Sequence, residues 1–307
     1  MKPKVIVIAG PTASGKTALS IELAKKINGE IVSSDSMQIY KDMDIGTAKV
    51  TKEEMQGIKH YLVDFVSPDE RYSVSNFKKD SEKAIEEILQ KGKVPIIAGG
   101  TGLYVDSLIY GIEYQEMEFD EEYRNQLMEK AETEEGLDEL YKQAVKIDEQ
   151  AMKNISHNDK KRIIRILEIF KATGKNKTEQ EKLSRANGVK YDFKVFAIDM
   201  DRAKLYDRIN RRVDLMLENG LVDEVKNLKE KYNHFPTAMQ GLGYKEVVEY
   251  LNNNCTYEEM VEKIKQETRR YAKRQLTWFR KNKETVWLDS ENGIENNINI
   301  ILELYKG

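Results

Sequence analysis

The sequence is nearly without cysteine: Cys255 is its only one, which excludes an internal disulfide and a cysteine-based zinc module and fits a reducing compartment. Its three histidines, His60, His157 and His234, are too dispersed to suggest a metal site, and His60 reads as a buried, hydrogen-bonded residue. No stretch approaches the roughly 18 uninterrupted apolar residues of a membrane helix. The first apolar run stops at Gly10-Pro11-Thr12, too short for the core of a secretory signal, so the expected compartment is the cytosol. Neither sign of charge dominates. The 50 basic and 53 acidic residues leave a net charge of -3, which argues against indiscriminate nucleic-acid binding but allows a local basic face. Acidic residues crowd into 113–139 and basic ones into 263–283.

What is present suits one large domain or a core with a substantial insertion: 307 residues, 40% of them hydrophobic. Val5 to Ala9 is a β-branched run, followed by a Gly-rich turn and the helical pattern "TALSIELAKKI". "GEIVSSDSMQIY" reads as a second strand ending near Ser33. "VPIIAGGTGLYVDSLIYG" reads as a third, breaking at Gly99-Gly100 into a helix. A helix from about Ser75 to Lys91 supplies the crossover a parallel sheet needs. Past Gly111 the pattern turns helical for roughly 75 residues, including "DKKRIIRILEIFKATG", with Asn158 or Asp159 as its cap, a stripe of Ile163, Ile164, Leu167 and Phe170, and Gly174 as its stop. "YDFKVFAIDM" resumes the sheet. The expected architecture is α/β: a P-loop NTPase-like parallel sheet flanked by helices, with an inserted all-helical subdomain. Residues 1–112 and 189–307 form the core and C-terminal helices, and 113–188 the insertion. The Asn-rich "ENGIENNINI" reads as peripheral.

Gly10, Pro11, Thr12, Ala13, Ser14, Gly15, Lys16 and Thr17 complete G-x-x-x-x-G-K-[ST] between a strand and a helix. Glycines let backbone N–H groups approach phosphate, the helix N-terminus adds positive potential, Lys16 neutralises charge and Thr17 can hold magnesium. The motif establishes a di- or triphosphate ligand, not ATP specifically. Asp35 follows the second strand, where ligands bind in open α/β sheets. It could coordinate magnesium or accept a proton, or serve only as a cap or turn residue. "GGTGLY", with Thr101, repeats the pattern at a third strand end, as a ligand loop or a tight turn.

Taken in order, "GPTASGKT", "SSDSMQIY", "DIGTAK", His60 before "LVD", "YSVSNF", "AGGTGLY", "NDKKRIIRILEIFKATG", "DRINRRVDLMLENGLVDEV", "GLGYKE" and "TRRYAKRQLTWFR" make the chain resemble the bacterial tRNA dimethylallyltransferases, also called tRNA isopentenyltransferases. The resemblance spans nearly the whole chain. Val50, where the family usually has Pro, and Tyr61, where a second His is common, depart from it away from the proposed reaction centre.

The resemblance implies transfer of a dimethylallyl group from dimethylallyl diphosphate to the exocyclic N6 amine of the adenosine 3′-adjacent to the anticodon, without ATP. It makes residues 10–17 the diphosphate seat, Mg²⁺ on Thr17 a cofactor, Asp35 the base, Thr101 a donor to the leaving diphosphate, and Arg208, with Arg212 second, its clamp. The tRNA anticodon stem-loop becomes the partner of a monomer. Ser36, Met37 and Gln38 would rim the pocket for an extruded adenine, alongside Asp35 and Thr101. Gln38 could read the base edge or serve as a turn amide. Lys161, Arg162, Arg165, Gly243, Tyr244 and Lys245 match tRNA-contacting segments. Arg124 is a further candidate for which an intrahelical ion pair competes. Arg270 and Arg274 belong to a basic, aromatic helix that reads as a phosphate-tracking element or a solvated face.

Three rivals stand beside this reading. A P-loop small-molecule kinase with the insertion as a lid would use Asp35 on magnesium or the acceptor. An isopentenyltransferase acting on free adenine nucleotides would lack need for the insertion and basic helix. A non-catalytic nucleotide or RNA module would leave Asp35 and Thr101 without a joint task.

Overall fold

The computed structural model describes residues 2–113, 120–184 and 188–306. The chain opens with β1 (Lys4–Ala9), α1 (Lys16–Ile27), β2 (Gly29–Ser33), the one-turn α2 (Lys52–Met55), β3 (His60–Tyr61), α3 (Val74–Gln90), β4 (Val94–Gly99) and α4 (Gly102–Ile109). Five helices follow, α5 (Glu121–Lys130), α6 (Glu134–Ile147), α7 (Glu149–Met152), α8 (Lys160–Thr173) and α9 (Lys177–Ser184). Then come β5 (Asp192–Asp199), α10 (Arg202–Glu218), α11 (Leu221–Lys231), α12 (Tyr244–Leu251), α13 (Tyr257–Phe279), β6 (Val286–Asp289) and α14 (Gly293–Lys306).

The strands pair in parallel in the order β3-β2-β4-β1-β5-β6. Side chains alternate across a strand, so Val5, Val7 and Ala9 of β1 meet Phe77, Ile85 and Ile88 of α3, while Ile6 and Ile8 face Leu19 and Leu23 of α1. Helices on both faces explain why these strands read as unbroken apolar runs. Burial of β1 from Val5 to Ala9 is complete to within 1%. Beyond the sheet's C-terminal edge a further core forms: Ile39, Tyr40 and Met43 of the loop after β2 pack with Val213, Leu221, Val225, Tyr244 and Ile264 of α10 to α13. That packing roofs the strand ends.

The chain divides into two compact units, Met1–Ile109 with Lys190–Gly307, and Tyr110–Val189. The second unit is helical among its described residues, with Leu137, Leu140 and Ala144 of α6 against Ile163, Ile164 and Leu167 of α8. Asp159 is the cap of α8, its Oδ1 accepting the Arg162 N–H at 3.2 Å, and Gly174 ends the helix with φ 65. Phe170 departs from the expected stripe, being 42% exposed, and Ile166 is buried instead. Part of the acidic run, residues 114–119, lies outside the described residues.

The C-terminal segment also differs from expectation. The Asn-rich stretch is not peripheral: Ile298 and Ile301 of α14 are fully buried against the sheet face that carries α1. Their three-residue spacing is helical, but the surrounding asparagines obscure it.

Candidate active site

A cavity of about 370 Å³ opens at the C-terminal ends of β2 and β4 beside the phosphate loop. Its lining carries four cationic side chains, Lys16, Arg212, Lys245 and Arg274, against one carboxylate, Asp35. Such an imbalance favours a polyanion at one end. Ile31, Val50, Ile209, Val213 and Ile264 give the remaining wall an apolar character, so Val50, expected to lie away from the reaction centre, belongs to its lining.

The phosphate loop owes its shape to Gly10 (φ 147), Ala13 (φ 63) and Gly15 (φ 95), which turn β1 sharply into α1. Lys16 lies at the first turn of α1, and its Nζ donates to the Pro11 carbonyl at 2.6 Å. Burial lowers its pKa to about 8; Asp35 opposes that shift and Arg212 adds to it. Thr17 lines the cavity with a side chain that makes no hydrogen bond among the described residues. Arg212 of α10 reaches the Thr12 hydroxyl at 3.5 Å, whereas Arg208 lies outside the lining, its Nη2 3.8 Å from where a Gly15 Cβ would sit. The two arginines approach the loop at Thr12 and near Gly15, and the second choice from sequence is the one inside the cavity.

Asp35 serves a turn and the cavity together. Its Oδ1 accepts the Met37 N–H at 2.9 Å and the Gln38 N–H at 3.3 Å, an Asx turn that fixes the carboxylate and leaves Oδ2 without a hydrogen bond among the described residues. Ser36 and Met37 line the cavity beside it. Gln38 also lines it, yet its amide NH₂ donates to the Thr47 and Ala48 carbonyls, so the turn role is realised. Thr101 is not part of the lining. Its Oγ1 accepts the Ser36 N–H at 3.0 Å and donates to Ser36 Oγ at 3.2 Å, tying the loops after β2 and β4 together. His60 lines the cavity with Nδ1 bonded to the Ile58 carbonyl, and burial keeps its pKa low.

Several expected RNA contacts have other tasks. Tyr244 is only 1% exposed and its hydroxyl donates to Glu224 at 2.6 Å, so its side chain is a loop anchor and not available to a polymer. Glu224, unremarked in the sequence, also accepts the N–H groups of Asp44, Ile45 and Gly46. Gly243 donates its N–H to Glu246 as the start of α12, while Lys245 is exposed. Arg124 forms a paired contact with the buried Glu168 of α8 at 2.9 and 3.1 Å. That is an inter-helix bridge. Arg165 shares Glu168, while Lys161 and Arg162 are exposed on α8. On α13, Arg270 is exposed and pairs with Glu267, and Arg274 joins the cavity wall beside Tyr271, whose phenol burial pushes up to about 12.

Sequence reasoning missed Gln275. It is 5% exposed, accepts the Thr12 N–H at 2.9 Å and donates to the Gly100 carbonyl at 2.8 Å. The available signal was its place four residues after Tyr271, on the same helical face.

Residues 38–282 match the family model described as IPP transferase. This chain belongs to the IPP transferase family. It is 52% identical over 307 residues to the tRNA dimethylallyltransferase of Acetivibrio thermocellus, covering 98% of each chain. Among solved structures it is similar to the full-length tRNA isopentenylpyrophosphate transferase from Bacillus halodurans, at 41% identity and TM-score 0.74, over 99% of this chain and 97% of that one. It is also similar to a eukaryotic dimethylallyltransferase acting on tRNA, at 32% identity and TM-score 0.82, over 99% of this chain and 80% of that one. The family's parallel-sheet fold with a phosphate loop is the fold described above.

Proposed function

We propose that the chain transfers the dimethylallyl group from dimethylallyl diphosphate to the N6 amine of the adenosine 3′-adjacent to the anticodon in tRNA, releasing diphosphate. The observation that carries this reading is the cavity itself. Its lining joins Lys16 of the phosphate loop and Arg212, which reaches Thr12 of that loop, to apolar side chains and to one carboxylate, Asp35. A hydrocarbon-tailed diphosphate matches the cationic and apolar surfaces, and an amine to be deprotonated matches the carboxylate.

In the reaction the allylic C–O bond breaks and its electron pair leaves on the diphosphate oxygen. A C–N bond forms from the amine lone pair, and the amine proton passes to Asp35 and then to solvent. Aryl amines are weak nucleophiles, so an oriented carboxylate helps as bond formation makes the amine acidic. Lys16 and Arg212 meet the charge growing on the leaving group, with Arg208 at the Gly15 end of the loop. Thr101 acts on the same chemistry through Ser36. The apolar wall excludes water that would hydrolyse an allylic centre.

The described residues contain no group of three or more His, Cys, Asp or Glu side chains able to hold a metal. Magnesium on Thr17 therefore fits only as a phosphate-bound ion, which keeps water and substrate oxygens as most of its ligands. Bound there, it would supply further positive charge to the departing diphosphate. RNA contacts fall to Lys161, Arg162 and Arg165 of α8 and to Lys245, Arg270 and Arg274. No helix among the described residues is long and apolar enough to cross a membrane. One chain supplies the loop, Asp35 and the basic helix, which supports a monomeric working unit, and the single cysteine and a tRNA substrate support a cytoplasmic setting.

The test is incubation with labelled dimethylallyl diphosphate and either unmodified tRNA or AMP, without ATP. Label is expected in tRNA; label in AMP alone, or turnover only with ATP, overturns the reading. In the same assay Asp35→Ala is expected to slow transfer at least about 100-fold while diphosphate binding persists.

A further inference from the structure

Gln275 stands where three elements meet, and no other described side chain bonds both the phosphate loop and the Gly99–Tyr104 turn. Its Oε1 accepts from the Thr12 N–H inside the phosphate loop, and its Nε2 donates to the Gly100 carbonyl after β4. Two of the three glycines in the Gly99–Tyr104 turn answer to α13. A Cβ on Gly100 would lie 2.2 Å from Gln275 Nε2, and one on Gly102 would lie 2.3 Å from Trp278 Cδ1. The same helical face carries Tyr271, whose phenol lies near Thr101 and Gln275. Thr101 in turn holds Ser36, next to Asp35. Gln275 thus ties the phosphate loop to Gly100, and the next residue, Thr101, ties that turn to the one holding the carboxylate.

We infer that Gln275 is a positioning residue for the transfer reaction: its amide fixes the distance between the phosphate loop and the turn that bears Thr101, and so between leaving group and nucleophile. The inference rests on the reading of the site as a prenyl-transfer centre. An amide suits the task because it offers one acceptor and one donor to a backbone N–H and a backbone C=O at once. The site is buried, so losing either bond leaves a polar backbone group unsatisfied, which costs more than the bond is worth in water. Effective geometry for group transfer is sensitive to displacements near an ångström. A loop released by loss of Gln275 should therefore change kinetics well before the fold fails.

Gln275→Met and Gln275→Glu separate the possibilities in the full-length protein. Met matches the length and removes both bonds. Glu keeps an acceptor for Thr12 but, when ionised, cannot donate to Gly100 and repels its carbonyl. Two measurements are needed, at a temperature where thermal melts show each variant fully folded: inorganic pyrophosphate binding by titration calorimetry, and kcat and KM for both substrates. Gln275→Met is expected to weaken pyrophosphate binding about 10-fold or more and to lower kcat about 10-fold or more, with KM for tRNA changed less than about 3-fold. Gln275→Glu is expected to regain activity relative to wild type as pH falls from about 8 to 6, as protonation of its carboxyl restores the donor. A merely structural residue would lower the melting temperature and leave these constants and the pH profile unchanged in folded protein, and that result overturns the inference. If wild type transfers no label to tRNA, the prenyl-transfer reading fails. The pyrophosphate titration then still decides whether Gln275 sets the phosphate loop.

Discussion

Lys16 is held under opposing demands, since its burial favours the neutral amine while its phosphate-binding role needs the ammonium. With its pKa lowered to about 8 in the free protein, diphosphate affinity depends on a proton that is lost within an accessible range. The prediction is that kcat/KM for dimethylallyl diphosphate falls about tenfold per pH unit above pH 8, because that ratio reports ionisations of the free enzyme. A profile flat to pH 10 would show that Lys16 keeps its proton. Stability runs the other way. Between pH 8 and the ordinary 10.5 the unfolded chain holds this proton more firmly than the folded one, so this group's contribution to stability rises across that window. The phosphate loop was legible because its chemistry sits in eight consecutive residues. Gln275 was not, as its partner Thr12 lies 263 residues away and only tertiary packing brings them together, and Arg212 was named only as the second choice of clamp.

The arrangement of whole elements depends on how closely α13 lies against the loops it braces. Trp278 packs its ring where a Gly102 side chain would be, and its Nε1 donates to Asp106 of α4 at 2.9 Å. Gly102→Ala should therefore push α13 outward, at a cost of about 1–3 kcal/mol from overpacking. Urea denaturation measures that loss, and transfer should slow as well, since Tyr271 and Gln275 move with the helix. Unchanged stability and rate would mean that the ring turns aside freely. β1, β2, β4 and β5 could be read from sequence because a strand buried on both faces is a run of apolar residues. Short β3 and β6 left no such run, having two and four residues, and they are specified by pairing with β2 and β5. α14 escaped notice because its few isoleucines meet a sheet face that the local sequence does not announce.

Across the whole molecule a net charge of -3 must be reconciled with a polyanionic partner. The reconciliation is local, since positive charge is needed only along the footprint. Arg162 and Arg270 have side chains 66% and 56% exposed, each paired to a carboxylate three residues away. Both guanidinium groups are largely in water while their carboxylates, 33% and 15% exposed, are less so, so each cation can turn from its carboxylate toward a phosphate. Binding of tRNA should thus weaken steeply with salt, linearly on a log–log plot. Arg162→Ala and Arg270→Ala should each make the slope shallower by about 0.7–0.9, one phosphate contact apiece, with KM for dimethylallyl diphosphate unaltered. Filter-binding across a salt series measures this. A slope that stays at the wild-type value in either variant would remove that arginine from the RNA footprint, leaving its charge to the carboxylate it already holds.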